Sequence, residues 1–243
     1  MSAQIQDIAI AGAHQAYLVR PEAPVDGAAV MFLHWFDEAP NANRSQFLDE
    51  AKALADAGVV SLLPQLQFPW HSHPTDAGAD ISRIKREHDA LMVGIETLRA
   101  QDGIDPDRIA VVGHDFGAMH GTLVLREIHA ACAVMVAPTA RWADWFLRFW
   151  PIETDRFDYM RSLDPLDPIT ALPDAGCPVL FQFARSDFYI AAMTGTEMLN
   201  AARDPKEMLA YDGGHALDLD PVRQDRDAFL RRHLGLLGEP AAQ

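Results

Sequence analysis

Apolar residues in this chain occur either in short unbroken runs or in longer stretches where they recur every third or fourth position. The unbroken runs at residues 28–34, 58–64, 109–112, 131–137 and 178–184 have the character of strands buried on both faces. Residues 5–10 and 16–19, joined by Ala11-Gly12-Ala13, predict an opening hairpin, and residues 207–211 a final strand. Helical spacing carries Phe47, Ala51, Leu54 and Ala55, then Ile81, Ile84, Leu91, Ile95 and Leu98 in a long helix over 80–100. Further helices are predicted over 116–128 and 222–234. Turn clusters at 21–27 and at Asp105-Pro-Asp-Arg108 punctuate the pattern, and residues 65–75, with two prolines, read as a loop. Buried strands alternating with helices predict an α/β class with a mostly parallel sheet of about eight strands covered on both faces. A chain of 243 residues fits one such domain, and no internal repeat is visible.

Charge narrows the partners. A formal net charge of −15 disfavours nucleic acid and anionic membranes, because phosphate binding needs basic patches. No apolar run approaches the length of a membrane span, and the first residues lack a basic segment followed by an apolar one. A soluble, cytoplasmic protein acting on a small molecule is the expectation. Cys132 and Cys177 sit in apolar runs and read as core residues. His71 and His73 share a loop without a third ligand at recognisable spacing, so they read as rim residues; neither metal nor cofactor is expected.

The chemistry concentrates at Gly113-His114-Asp115-Phe116-Gly117, a turn between the run at 109–112 and a helix. Glycine on both sides of one exposed residue is the pattern of a nucleophile elbow. Its centre is Asp115, where a serine is usual. Two more groups follow just past the ends of later strands, Asp187 in Arg185-Ser-Asp187 and His215 in Asp212-Gly-Gly-His215. Open α/β sheets put their sites at such strand ends. The order elbow, acid, histidine resembles the α/β-hydrolases, and the compact layout is most similar to their dienelactone hydrolase branch. The aspartate at the elbow resembles instead haloalkane dehalogenases and epoxide hydrolases. None of the seven serines stands in an elbow.

This resemblance implies a mechanism. Asp115 attacks an sp³ carbon bearing a leaving group, giving an alkyl ester; attack on an ester carbonyl would give a reactive anhydride instead. His215, oriented by Asp187, then activates water against that ester. The oxyanion donors implied by the family are the Phe116 N–H and one from the loop His34-Trp35-Phe36, where Trp35 replaces the usual glycine. His34 and His114 are expected to support the site by hydrogen bonding. Phe116 stands where dehalogenases usually carry a donor tryptophan, so the Trp35 indole is the expected leaving-group donor. For epoxide opening the candidates are Tyr159 and Tyr189.

Residues 139–171 fall where the fold inserts a lid, and Trp142, Trp145 and Phe146 read there as an apolar cover over the substrate or as a packing or homodimer surface. Two rivals remain: an esterase of the dienelactone hydrolase type whose nucleophile has been replaced, and a non-catalytic binding protein on the same scaffold.

Overall fold

The computed structural model describes residues 3–12, 14–22, 24–36, 43–67, 76–149 and 155–236. His71 and His73 lie outside them. One sheet of eight strands runs in the order β1-β2-β4-β3-β5-β6-β7-β8. β1 (Gln4–Ala11) and β2 (His14–Arg20) form the expected hairpin and join β4 (Val60–Pro64) antiparallel. β3 (Ala29–Leu33), β5 (Ile109–His114), β6 (Cys132–Val136), β7 (Val179–Ala184) and β8 (Lys206–Tyr211) run parallel to β4. β3, β4, β5 and β6 are buried at every position, which is why their sequences are unbroken apolar runs.

Helices α1 (Leu48–Ala55) and α2 (Ala77–Arg99) leave the sheet in opposite directions, from β3 to β4 and from β4 to β5. Right-handed crossovers therefore put them on opposite faces. The closing helix α8 (Asp220–Leu234) shares the α1 face: buried Arg226 donates twice to Glu50, at 2.8 and 2.7 Å, and once to Gln182 of β7 at 2.8 Å. α3 (Phe116–Leu125) packs beside α2 and ends three residues earlier than the sequence suggests. α2 starts at Ala77, earlier than expected, because the Asp76 side chain caps it by accepting from the Ala79 N–H at 2.8 Å.

The lid stretch contains α4 (Trp142–Phe149), α5 (Arg156–Leu163) and the short α6 (Pro168–Ala171). Helix is interrupted between α5 and α6, where Pro165 and Pro168 remove amide donors. One helix, α7 (Thr194–Ala201), was not expected from the pattern. Trp142, Trp145, Phe146, Tyr159 and Leu163 form a second apolar cluster with Phe116, Met119 and Leu123 of α3. The lid is thus a packed layer seated on the elbow helix. No helix among the described residues is long and apolar enough to cross a membrane.

The elbow is set by two close backbone approaches. A Cβ on Gly117 would lie 2.1 Å from the Leu33 carbonyl oxygen, and one on Gly113 would lie 2.5 Å from the Ala118 Cα. Both obstacles are backbone and cannot rotate away. Gly117→Ala should therefore cost more than the about 1–3 kcal/mol of ordinary overpacking. Gly176→Ala, where nothing lies within 4 Å, should be near neutral. Urea denaturation of the two variants checks the contrast.

Candidate active site

β5 ends at His114 and α3 begins at Phe116, so the chain reverses on one residue, Asp115. Its φ of 54° and ψ of −115° lie in a region that non-glycine residues rarely occupy. Backbone contacts on both sides hold it there: its N–H donates to the Val136 carbonyl at 2.8 Å, and its carbonyl accepts from the Met119 N–H at 3.0 Å. The Asp115 side chain is almost fully enclosed.

The two later residues converge on it. Asp187 follows β7 and His215 follows β8, adjacent parallel strands that bring both loops to the same sheet end as the elbow. His215 Nδ1 lies 2.8 Å from Asp187 Oδ2, and Nε2 lies 3.8 Å from Asp115 Oδ1. The second oxygen of Asp187 accepts from the N–H groups of Tyr189 at 2.8 Å and Ile190 at 3.0 Å. Burial alone would raise the Asp187 carboxyl; the His215 hydrogen bond and these amides outweigh it and hold the value below the usual range. Burial likewise acts to lower His215, but the carboxylates of Asp115 and Asp187 on its two nitrogens reverse that and push it up to about 9.

Trp145 of α4 supplies a contact that sequence patterns could not identify. Its indole Nε1–H donates to Asp115 Oδ1 at 2.9 Å. The expected indole donor, Trp35, instead stacks its ring on His114 and His215, with centroids 5.1 and 5.9 Å away. It follows β3 directly, where the chain leaves the sheet beside the imidazoles. The indole at Asp115 therefore comes from α4. Phe116 stacks on Trp145 at 5.3 Å, and Phe36 packs against the same cluster. The Tyr189 ring lies 5.0 Å from His215 and 5.5 Å from Trp145, bridging base and indole.

Tyr159 departs from expectation. Its ring joins the lid cluster, but its hydroxyl donates to Asp80 Oδ2 of α2 at 2.9 Å. Asp80 is fully buried and needs that partner, so the hydroxyl is committed to the helix interface. Among the described residues, Tyr189 is the tyrosine whose ring packs against His215.

His34 and His114 are both buried supports. His34 Nε2 accepts from the Leu66 N–H at 2.8 Å, so its Nδ1–H donates to the Trp35 carbonyl at 2.7 Å; burial lowers its value to about 4. His120, on α3, is buried against Trp142 and is likewise lowered, to about 3. No group of His, Cys, Asp and Glu among the described residues could hold a metal ion.

Chemically, the arrangement offers a carboxylate on a strained turn, an imidazole oriented by a second carboxylate, and one indole N–H at the first carboxylate, all within an aromatic enclosure. No family model matches the chain, and no curated protein matches it in sequence. Solved structures match its fold. The esterase domain of a Rhodothermus marinus protein is 16% identical with a TM-score of 0.69, over 96% of this chain and 100% of that one. A Klebsiella pneumoniae protein assigned as a dienelactone hydrolase is 18% identical with a TM-score of 0.69, over 97% and 99%. The thermophilic esterase Est2 of Thermogutta terrifontis, with propionate bound, is 17% identical with a TM-score of 0.70, over 98% and 97%. With the strand order above, these likenesses establish the α/β-hydrolase fold.

The His215 value tests the electrostatics directly. Being raised above 6.5, its charged form favours the folded state fully below pH 6.5, a contribution lost as pH rises through about 9. Asp115→Asn removes one of the two supporting charges and should move the His215 titration, followed by NMR, to lower pH.

Proposed function

We propose that this protein is a hydrolase in which Asp115 attacks an sp³ carbon and forms an alkyl ester that a His215-activated water then cleaves. The observation that carries this reading is the carboxylate itself, held at the elbow beside a complete acid–histidine pair and capped by the Trp145 N–H. A carboxylate does poor acyl transfer, since the product would be an anhydride. It does serviceable substitution at a carbon with a leaving group, and the ester formed is ordinary. Alkylation also changes the base. Asp115 is neutral as an ester, so His215 keeps one supporting carboxylate instead of two, and its value falls toward the neutral form that water activation requires.

Trp145 fits the first step. Its N–H rests on the carboxylate charge in the free enzyme, and as that charge moves through substrate to leaving group the donor is available to follow it. A halide on a small neutral carbon skeleton suits this single donor and the aromatic walls best. Epoxide opening is the second choice, with Tyr189 as the hydroxyl donor, since the Tyr159 hydroxyl is held by Asp80. Haloacids fit poorly. Among the described residues His215 is the cationic group beside Asp115, while the four arginines of the lid stretch reach other groups: Arg148 the carbonyls of Phe188 and Tyr189, Arg141 the carboxylates of Glu197 and Asp144, Arg156 the Leu147 carbonyl and Arg161 the Asp158 carboxylate. The stretches outside the described residues contain no Lys or Arg.

An esterase with a replaced nucleophile is favoured by one observation, the esterases among the similar folds. The two readings separate by intact-protein mass spectrometry of His215→Phe after incubation with haloalkanes, epoxides and short-chain esters. A stable mass addition mapping to Asp115 with a haloalkane or epoxide is expected. No addition, together with ester turnover appearing in Asp115→Ser, would favour the esterase. Trp145→Phe should slow adduct formation by roughly 10²–10³-fold, the usual effect of removing one transition-state donor, and more for chlorides than for iodides.

A further inference from the structure

The hydrogen bonds behind the elbow form a chain whose direction is fixed by chemistry. The Trp35 backbone N–H can only donate, and it lies 2.7 Å from Gln46 Oε1. That contact sets the Gln46 amide, turning its NH₂ toward His114, whose Nδ1 is 2.6 Å away. An amide NH₂ also only donates, so His114 Nδ1 carries no proton and the neutral ring holds its hydrogen on Nε2. Nε2 in turn lies 3.0 Å from the His215 carbonyl oxygen, which only accepts. Burial keeps His114 neutral, well below its ordinary value, and the neighbouring His215 and Arg226 charges act in the same direction. At the start of the chain, the Trp35 peptide is held from its other side by His34, which donates to its carbonyl at 2.7 Å.

From this directed chain we propose that Gln46 is a positioning residue. Through His114 it fixes the backbone that presents the His215 imidazole, and through Trp35 it fixes the peptide that follows β3. The candidate base and the loop opposite it are thereby referenced to the elbow by one side-chain amide. Asp187 orients the His215 ring; Gln46 orients the chain that carries it. The stacking of Trp35 over both imidazoles gives area but no direction, and the amide supplies that direction. Gln46 is half-buried on the wall of a cavity of about 590 Å³, lined also by Glu50, Leu217 and Arg226, so its substitution need not collapse the core.

Two substitutions of similar length separate positioning from packing. Gln46→Met removes both hydrogen bonds. Gln46→Glu keeps an acceptor for the Trp35 N–H but sets a carboxylate against His114 Nδ1, which should draw a proton onto that nitrogen. With ¹⁵N-labelled histidine, NMR should find wild-type His114 neutral with its hydrogen on Nε2, and doubly protonated in Gln46→Glu at the same pH. In both variants the His215 resonances should shift while circular dichroism remains that of the wild type. The kinetic arm rests on the carboxylate-nucleophile reading: ester hydrolysis should slow roughly ten- to a hundredfold, as expected for slight misplacement of a base, the Asp115 adduct should accumulate, and KM should fall together with kcat. A wild-type His114 with its hydrogen on Nδ1 would overturn the proposal, as would unchanged His215 resonances in Gln46→Met. If no compound alkylates Asp115, the functional reading fails and the NMR arm alone decides the role of Gln46.

Discussion

The rest of the site depends on how closely α3 approaches β3. Gly117 lets the helix start against the Leu33 carbonyl, where any side chain would collide. That approach forces the reversal onto Asp115, whose backbone bears a conformational cost of about 1–3 kcal/mol. The surrounding structure over-determines the strain through Val136 and Met119. Much else is built outward from this point. Phe116 and Met119, the first outward-facing residues of α3, become the floor on which the lid helices pack. His114, the last residue of β5, becomes the link to the loop carrying His215. One backbone contact therefore positions Asp115, the link to His215 and the floor beneath the lid stretch together.

Four histidines in this region differ sharply in charge, and the groups at their ring nitrogens set the difference. His34, His114 and His120 are held neutral by burial, with amides, carbonyls or an aromatic ring around them. His215 is also buried, but carboxylates lie at both of its nitrogens. Contact with a carboxylate decides which ring is charged. The result is one localised cation inside a set of neutral, directional imidazoles, a division of labour between charge and orientation.

Much of this was legible in the sequence. The five central strands announce themselves as apolar runs, and the glycine-flanked turn, acid and histidine occur in a recognisable order. What escaped depends on relations between distant elements. Trp145 and Trp35 are both plausible donors by composition; which indole reaches Asp115 depends on how the lid helix is rotated over α3. Tyr159 was a reasonable proton donor until buried Asp80 took its hydroxyl, a pairing across 79 positions. Gln46 carries no motif, and its importance comes from two contacts, one of them 68 residues away. The helix Thr194–Ala201 mixes small and polar residues with few apolar ones, leaving a weak periodic signal.

The indole on the reactive carboxylate has a spectroscopic consequence. A full negative charge 2.9 Å from the pyrrole nitrogen of Trp145 biases the electron distribution of that chromophore in both its ground and excited states. In the proposed mechanism an ester at Asp115 removes that charge and its hydrolysis restores it. The emission of this one tryptophan is therefore tied to the covalent state of its neighbour. Under the proposed mechanism the molecule would carry its own optical gauge of turnover, readable with substrates that have no colour of their own.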